Sequence, residues 1–415
     1  NIGDESILRT LVTSLREHIP GCSLTVLSHN PDSTREKYGV EAVDRMSPMA
    51  ILRAVKKCDM LISGGGSLLQ DVTSSKSLHY YLAIIRCALL FRKKVFIYSQ
   101  GIGPIDRPGN RRAAAKVLRR VDGIVVRDER SAALLEEIGI ARGRAVITAD
   151  PVIRMKKPDS GVGAQILQKA GVSLGGRLTV GWAIREKDRD SRFVAEILRS
   201  IRWLKEKYNA QSVLIPFHYE EDGEVCRHIA AQLPDDTAVC LNEKYLSEDM
   251  LSIIGNMDLL VGVRLHSLIY AAIMGVPLIG ISYDPKCTAF LNSVGLDKLS
   301  TREGFTAELF EPEAERVLKT GGEQVRRVEA HMAELSRKLD TNEKMICAIM
   351  EESREHTMQD PQKNGKNKES SGVRTAGAIS LVFLLTLFAK LLGVVREMMQ
   401  ANIFGTGIDA DLYTA

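Results

Sequence analysis

The segment VGVRLHSLIYAAIMGVPLIGISYDPK, Val261 to Lys286, reads as strand, turn, helix and strand. Two apolar runs flank an apolar stretch with helical spacing, the signature of a βαβ unit. Its first turn carries Arg264 and His266 around one leucine, and Lys286 follows the second run. Three cationic or protonatable groups thus sit at strand ends of one unit. That is where open α/β sheets bind ligands.

The same rhythm extends outward. SLTVLS (Ser23 to Ser28), MLISGGG (Met60 to Gly66), KVFIYSQG (Lys94 to Gly101) and GIVVRD (Gly123 to Asp128) read as buried strands separated by helical patterns. A Pro- and Gly-containing break follows near Asp150, and then RLTVGWAIR, AQSVLIPFH, MDLLVGVR and VPLIGISYD continue the series. Strands buried on both faces and alternating with helices imply parallel, doubly wound sheets. The expected organisation is α/β, with two Rossmann-like domains facing a cleft: residues 1–150 and 151–322. A short helix starting near Glu313 is expected to stop at Gly321 and Gly322, and a charged helix over 323–352 to pack back on the first domain.

Residues 353–372 are polar and read as a disordered linker. AGAISLVFLLTLFAKLLGVV (Ala376 to Val395) is then almost uncharged and long enough to span a bilayer. Lys366, Lys368 and Arg374 before it suit the cytoplasmic side. Residues 373–415 are therefore expected to begin an α-helical membrane domain. The chain starts without Met and ends at DLYTA, which reads as a fragment cut at both ends.

Composition excludes several classes. A net charge of +4 over 415 residues and 5% aromatics argue against a nucleic-acid binder. The seven cysteines are odd in number, widely spaced and without a CxxC pair, which argues against a disulfide framework or a zinc site. They read as packed thiols, with Cys287 beside Lys286 as the one candidate for a reactive thiol.

The candidate site gathers residues from four strand ends. Arg185 follows RLTVGWAI, His218 and Asp222 follow AQSVLIPF, Arg264 and His266 follow MDLLVGV, and Lys286 follows VPLIGISY. Arginine clamps carboxylate or phosphate with paired hydrogen bonds, lysine adds a point charge, and histidine moves a proton near neutral pH. The pattern reads as an anion site. NIGDESIL, with Asn1, Gly3 and Asp4, looks like a strand-to-helix turn whose front half is missing. SGGGSLLQD, with Gly64, Gly65, Gly66 and Gln70, is a glycine-rich strand end suited to close ligand approach. SQGIGPI is a second one. None is the GxGxxG dinucleotide fingerprint.

Together NIGDESIL, SGGGSLLQD, SQGIGP, VVRDERSAALLEEIGI, ADPV and the RLH–YDPK block resemble the polysaccharide pyruvyl transferase family, most closely its CsaB-type cell-wall enzymes. That resemblance implies a GT-B-like fold and phosphoenolpyruvate as donor. It implies a lipid-linked acceptor containing N-acetylmannosamine and a 4,6-pyruvate ketal as product, which in Gram-positive relatives anchors surface-layer proteins. No cofactor or metal is implied.

On this reading Arg264, Arg185 and Lys286 hold the donor's charged groups, with His266 as acid/base or donor ligand. Asn1, Asp4, Gly64, Gly65, Gly66 and Gln70 face the acceptor, and His218 and Asp222 stand nearby. Relatives often carry Arg-Pro-Trp where this chain has IREKD, which bears on Arg185. The tail, with KLLGVVRE and FGTGIDADLYTA, resembles the start of the MviN/MurJ family of lipid II flippases. The implied location is the cytoplasmic face of a bacterial membrane, with homo-oligomerisation left open. Two rivals share the cationic site: a GT-B glycosyltransferase using a nucleotide sugar, and a non-catalytic carbohydrate-binding module tethered to an exporter. A third, an enolpyruvyl transferase, would leave a vinyl group on its product.

Overall fold

The computed structural model describes residues 2–72, 74–189, 191–359 and 380–384. Its strands are β1 (Ser23–Ser28), β2 (Glu41–Asp44), β3 (Met60–Gly64), β4 (Lys94–Gln100), β5 (Gly123–Val126), β6 (Ala145–Ile147), β7 (Thr179–Ala183), β8 (Gln211–Leu214), β9 (Ala238–Cys240), β10 (Leu259–Gly262), β11 (Leu278–Ser282), β12 (Ser300–Thr301) and β13 (Ser380–Leu384). They form a seven-stranded sheet, β2-β1-β13-β3-β4-β5-β6, and a six-stranded sheet, β12-β11-β10-β7-β8-β9. Every residue of β3, β5, β7, β8, β10 and β11 is buried. This is why these strands read as continuous apolar runs rather than alternating ones.

Two compact units result. One holds the described residues of Gly21–Ile124, Arg130–Ala145 and Ser371–Ala415; the other holds those of Asn1–Pro20, Val125–Glu129 and Val146–Ser370. The sequence reading assigns residues 2–20 to the first domain, whereas here they group with the second sheet. Three contacts fix the helix Ile2–His18 there. Ser6 Oγ meets Tyr270 Oη, a fully buried phenol on the helix Leu265–Met274. Ser14 Oγ donates to Glu343 Oε1 at 2.7 Å. Arg154 Nη1 donates to Ser14 Oγ at 3.2 Å and Glu343 Oε2 at 3.3 Å, and its guanidinium also pairs with Asp340. A partly buried arginine held by two carboxylates and a hydroxyl is costly to dismantle once formed, so the network specifies this docking.

Within the second sheet the chain runs from β7 outward through β8 and β9. It then returns to the other side of β7 for β10, β11 and β12. The strand order reverses between β7 and β10, and loops leaving the carboxyl ends of such a pair part to leave room for a ligand. The core beneath is built around Trp182, whose Nε1 donates to Ser212 Oγ at 3.1 Å and whose ring lies 5.3 Å from Phe310.

Two expectations are corrected. Gly321 and Gly322 do not end a helix: one helix runs from Ala307 to Gln359, through Pro312 and into the stretch expected to be a linker. A Cβ at Gly321 would lie 2.8 Å from Pro277 Cγ, so this glycine serves close packing rather than termination. The membrane-entering helix over Ala376–Val395 is not found where that stretch is described. Ser380–Leu384 is strand β13, parallel to β1 and β3. No helix among the described residues is long and apolar enough to cross a membrane. The remainder of the tail, with its flippase-like motifs, lies outside the described residues.

Candidate functional site

The site grows from caps at the carboxyl ends of the second sheet. Arg264 is the N-cap residue of Leu265–Met274, with extended backbone (φ −90°, ψ 131°). Its side chain reaches back toward the helix Tyr219–Ala230. There Nε donates to Asp222 Oδ2 at 3.1 Å, and Nη2 donates to Asp222 Oδ1 and, at 3.2 Å, to Glu221 Oε2. This two-pronged clamp fixes the guanidinium plane. Burial works against the charge, but Asp222 more than offsets it and holds the Arg264 pKa above its ordinary value. Asp222 is itself fully buried and accepts from His218 N at 2.8 Å. His218 caps the same helix, its Nδ1 accepting from Glu221 N at 3.3 Å. Asp222 and His218 therefore build the Arg264 clamp.

His266 follows one leucine later, and its ring packs on the backbone of Gly3 in the helix Ile2–His18. A Cβ at Gly3 would lie 2.9 Å from the ring's Cγ and closer still to Nδ1 and Cε1. The side chain keeps 20% exposure, yet Nε2 is sealed from solvent and has no hydrogen-bond partner among the described residues. Asp150 Oδ2 stands 4.0 Å away, beyond hydrogen-bonding reach. Burial first, then the charges of Arg127, Lys286 and Arg264, push the His266 pKa down to about 4 against the opposing pull of Asp150. Its imidazole is neutral at neutral pH.

Arg127, just past β5, donates from Nη1 to Asp150 Oδ2 at 3.0 Å and lies 3.4 Å from Asp128 Oδ2 through Nε. Asp150 Oδ1 accepts from Val152 N at 3.1 Å and caps the 3-10 helix Pro151–Arg154. Lys286 opens the helix Pro285–Ser293. Its N–H donates to the capping carboxylate of Asp284 at 3.0 Å, and its Nζ pairs with Asp284 Oδ2 at 3.2 Å. Burial pushes Asp284 up, but Lys286 outweighs it and the carboxyl sits below its ordinary range. Arg185 lies with its guanidinium carbon 4.5 Å above the Tyr283 ring, a cation–π contact.

Arg185, Arg264, His266 and Lys286 thus share the carboxyl ends of β7, β10 and β11, as the strand pattern predicts. The sequence reading does not single out Arg127, Asp150, Tyr283 or Asp284. Arg127 follows an apolar strand just as Arg264 does, and the Asp-Pro pairs at 150–151 and 284–285 are N-cap signals. Asp4 lies in the first turn of Ile2–His18, in the unit that holds His266. Asn1 lies outside the described residues. Cys287 is not a reactive thiol: it is fully buried, and its pKa is raised to about 12 by burial above all.

Gly64, Gly65, Gly66 and Gln70 belong to the other unit. Gly65 and Gly66 both adopt positive φ (59° and 62°), which only glycine takes without strain. Gly65 N donates to Tyr98 O at 2.9 Å, and Gly66 O accepts from Gly101 N at 2.8 Å. The loop is thereby stitched to SQGIGP. Asp71 locks the same region, accepting from Asp106 N, Arg107 N and Asn110 Nδ2 at 2.8–3.1 Å. Gln70, half-buried, sits between this carboxylate and the Leu69–Ile102 bridge. Much of the backbone expected to cradle a ligand is thus committed to holding two loops together. Among the described residues, no group of three or more His, Cys, Asp or Glu could hold a metal ion.

Comparison with known proteins agrees with this architecture. In fold the chain is similar to Anabaena HepE, solved with UDP-glucose (TM-score 0.57, 12% identity, covering 85% of this chain and 96% of that one). It is also similar to Staphylococcus aureus MnaA, solved with UDP (0.57, 13%, covering 80% and 89%). A glycosyltransferase from Rickettsia africae is comparable (0.55, 10%, covering 86% and 95%). These place the chain among GT-B-like α/β folds. Among characterised sequences it is 22% identical over 268 residues to the amylovoran biosynthesis protein AmsJ of Erwinia amylovora. That match spans 60% of this chain and 62% of the relative, under two thirds of the relative's length. The family model for polysaccharide pyruvyl transferases matches residues 1–285, which include every residue of the cationic site except Lys286, its immediate neighbour, and the chain belongs to that family.

Proposed function

We propose that the chain transfers pyruvate from phosphoenolpyruvate to a lipid-linked saccharide, forming a 4,6-ketal and releasing phosphate at the cytoplasmic face of a membrane. N-acetylmannosamine is the proposed accepting sugar. The observation that carries the reading is the sealed, unpartnered Nε2 of His266 amid Arg127, Arg264 and Lys286. Phosphoenolpyruvate carries a carboxylate and a phosphate, and a cluster of arginines and a lysine answers both.

In the proposed reaction a proton adds to the methylene carbon and makes C2 electrophilic. One sugar hydroxyl attacks C2, the C2–O bond to phosphate breaks, and the second hydroxyl attacks in its place. Of the two hydroxyl protons, one balances that taken by the methylene carbon and the other that on the departing phosphate. In this reading His266 delivers the first proton. Being neutral, it must acquire that proton before delivering it.

The test supplies the protein with phosphoenolpyruvate and a lipid-linked N-acetylmannosamine acceptor. Acceptor-dependent phosphate release is expected, with a new methyl signal by NMR in an acid-labile product. Release of a nucleotide from a sugar nucleotide, with none of these, would overturn the reading in favour of a glycosyltransferase. A vinyl signal would mark enolpyruvyl transfer, and saccharide binding without turnover of either donor would mark a binding module.

A further inference from the structure

We infer that Asp150 is a positioning residue that exchanges Arg127 for His266 when the donor's anionic groups arrive, and so loads His266 with the proton it delivers. The inference rests on the donor assignment above.

The geometry is that of a carboxylate between two claimants. Asp150 Oδ1 is committed to the cap of Pro151–Arg154, which fixes the carboxylate's position. Oδ2 faces Arg127 Nη1 at 3.0 Å on one side and His266 Nε2 at 4.0 Å on the other. Arg127 holds the nearer place, and the buried Nε2 is left without a partner. A buried polar atom left unpaired in a protein is costly, and such atoms concentrate where a ligand or a proton completes the arrangement.

The groups around the imidazole favour that completion. Arg264 comes from its own helix, Lys286 and Asp284 from Pro285–Ser293, and Arg127 and Asp128 from the segment after β5. On the remaining side stands the helix Ile2–His18, with Asp4 and Glu5 in its first turn. Burial first, and the cations after it, keep His266 neutral. An incoming phosphate and carboxylate offer Arg127 stronger partners than one aspartate and offset the repulsion felt by an imidazolium. As Arg127 turns to the donor, Oδ2 is released to His266; because Nε2 is closed to solvent in the resting geometry, the same movement must admit a water, through which a proton relayed from solvent adds to Nε2. The step forms one N–H bond at Nε2 and breaks one O–H bond of the hydronium that supplies the proton; no other covalent bond changes.

Isothermal titration of phosphoenolpyruvate into the full chain, with acceptor absent, tests this at pH 7 in buffers of differing ionisation heat. Native protein is expected to take up more protons per donor bound than His266→Gln, by an amount approaching one. The variant serves as baseline for the donor's own titration. Asp150→Asn keeps a capping oxygen and is expected to bind donor within several-fold of native while losing the extra uptake. Equal uptake in native and His266→Gln, or undiminished uptake in Asp150→Asn, would overturn the inference. Absence of binding would instead overturn the donor assignment and this inference with it. If Asp150→Asn does not fold, the ¹⁵N shift of His266 Nε2 in native protein decides: donor should move it to the protonated range, and an unmoved shift refutes the exchange.

Discussion

Gly3→Ala probes the site without touching a charge. The added Cβ would fall 2.9 Å from His266 Cγ and closer to two other ring atoms, where carbon atoms prefer roughly 3.5–4.0 Å. The imidazole must therefore retreat by roughly 1 Å. Overpacking of this kind costs about 1–3 kcal/mol, and a reacting group misplaced by about 1 Å can lose ~100-fold in rate. Thermal denaturation should show a fall of a few degrees, at roughly 2–4 °C per kcal/mol. Phosphate release should fall ~100-fold in kcat/KM. Gly109→Ala is the control. It lies in the helix Pro108–Leu118 with no atom within 4 Å of an added Cβ, and it should be neutral or stabilising by up to about 1 kcal/mol. If Gly3→Ala keeps both the melting temperature and the turnover of the native chain, the packing of His266 on this helix is wrong.

Three further outcomes follow from the same geometry. Asp222→Ala leaves Arg264 buried without its main counter-charge and should destabilise by about 3–5 kcal/mol in urea denaturation, whereas an exposed-pair change such as Lys169→Ala should cost under about 1 kcal/mol. The His266 pKa of about 4 lies below the 6.5 of an ordinary histidine, so the unfolded chain binds this proton first. Its contribution is intact above pH 6.5 and is lost as pH falls toward 4, by up to about 3 kcal/mol; stability curves of native chain and His266→Gln should converge across that window. Thiol titration of the native protein should leave Cys58, Cys226 and Cys287 unreacted, since all three are fully buried, while Cys22, Cys87, Cys240 and Cys347 retain exposure.

The strands legible in sequence are those buried throughout along a mostly apolar run, such as β3, β7 and β10. The reading misses β2, whose terminal residues are exposed, the three-residue strands β6 and β9, and β12, a two-residue strand at a sheet edge. All four are too short for a period to register. β13 is missed for the opposite reason: an apolar run in the middle of a parallel sheet has the hydropathy of a membrane segment. The cations of the site are legible because they end strands. Asp222 is legible as a candidate beside a strand end, but the pairings are not, because Asp222 lies 42 positions from Arg264 and Asp150 lies 23 from Arg127. Only the folded sheet brings these pairs together, and no local spacing announces them.

Those partners change what the cations can do. Arg127 is paired with Asp150, Arg264 with Asp222 and Glu221, and Lys286 with Asp284. Each must share or surrender a carboxylate to bind an anion. Arg185 differs: among the described residues its partner is the face of Tyr283, which leaves its donors uncommitted to a carboxylate. It is therefore the cation that can meet an incoming anion at the least electrostatic cost, even though its IREKD context departs from the common family pattern. Arg185→Lys keeps the charge but loses the planar fork and the stacking surface. It should weaken phosphoenolpyruvate binding about tenfold or more, equivalent to about 1.4 kcal/mol. Circular dichroism and the melting temperature should stay close to native, because this half-buried side chain contributes little beyond its contact with Tyr283. Native affinity in Arg185→Lys would show that the paired cations alone carry the anion, and that the stacked arginine serves only to hold the Tyr283 loop.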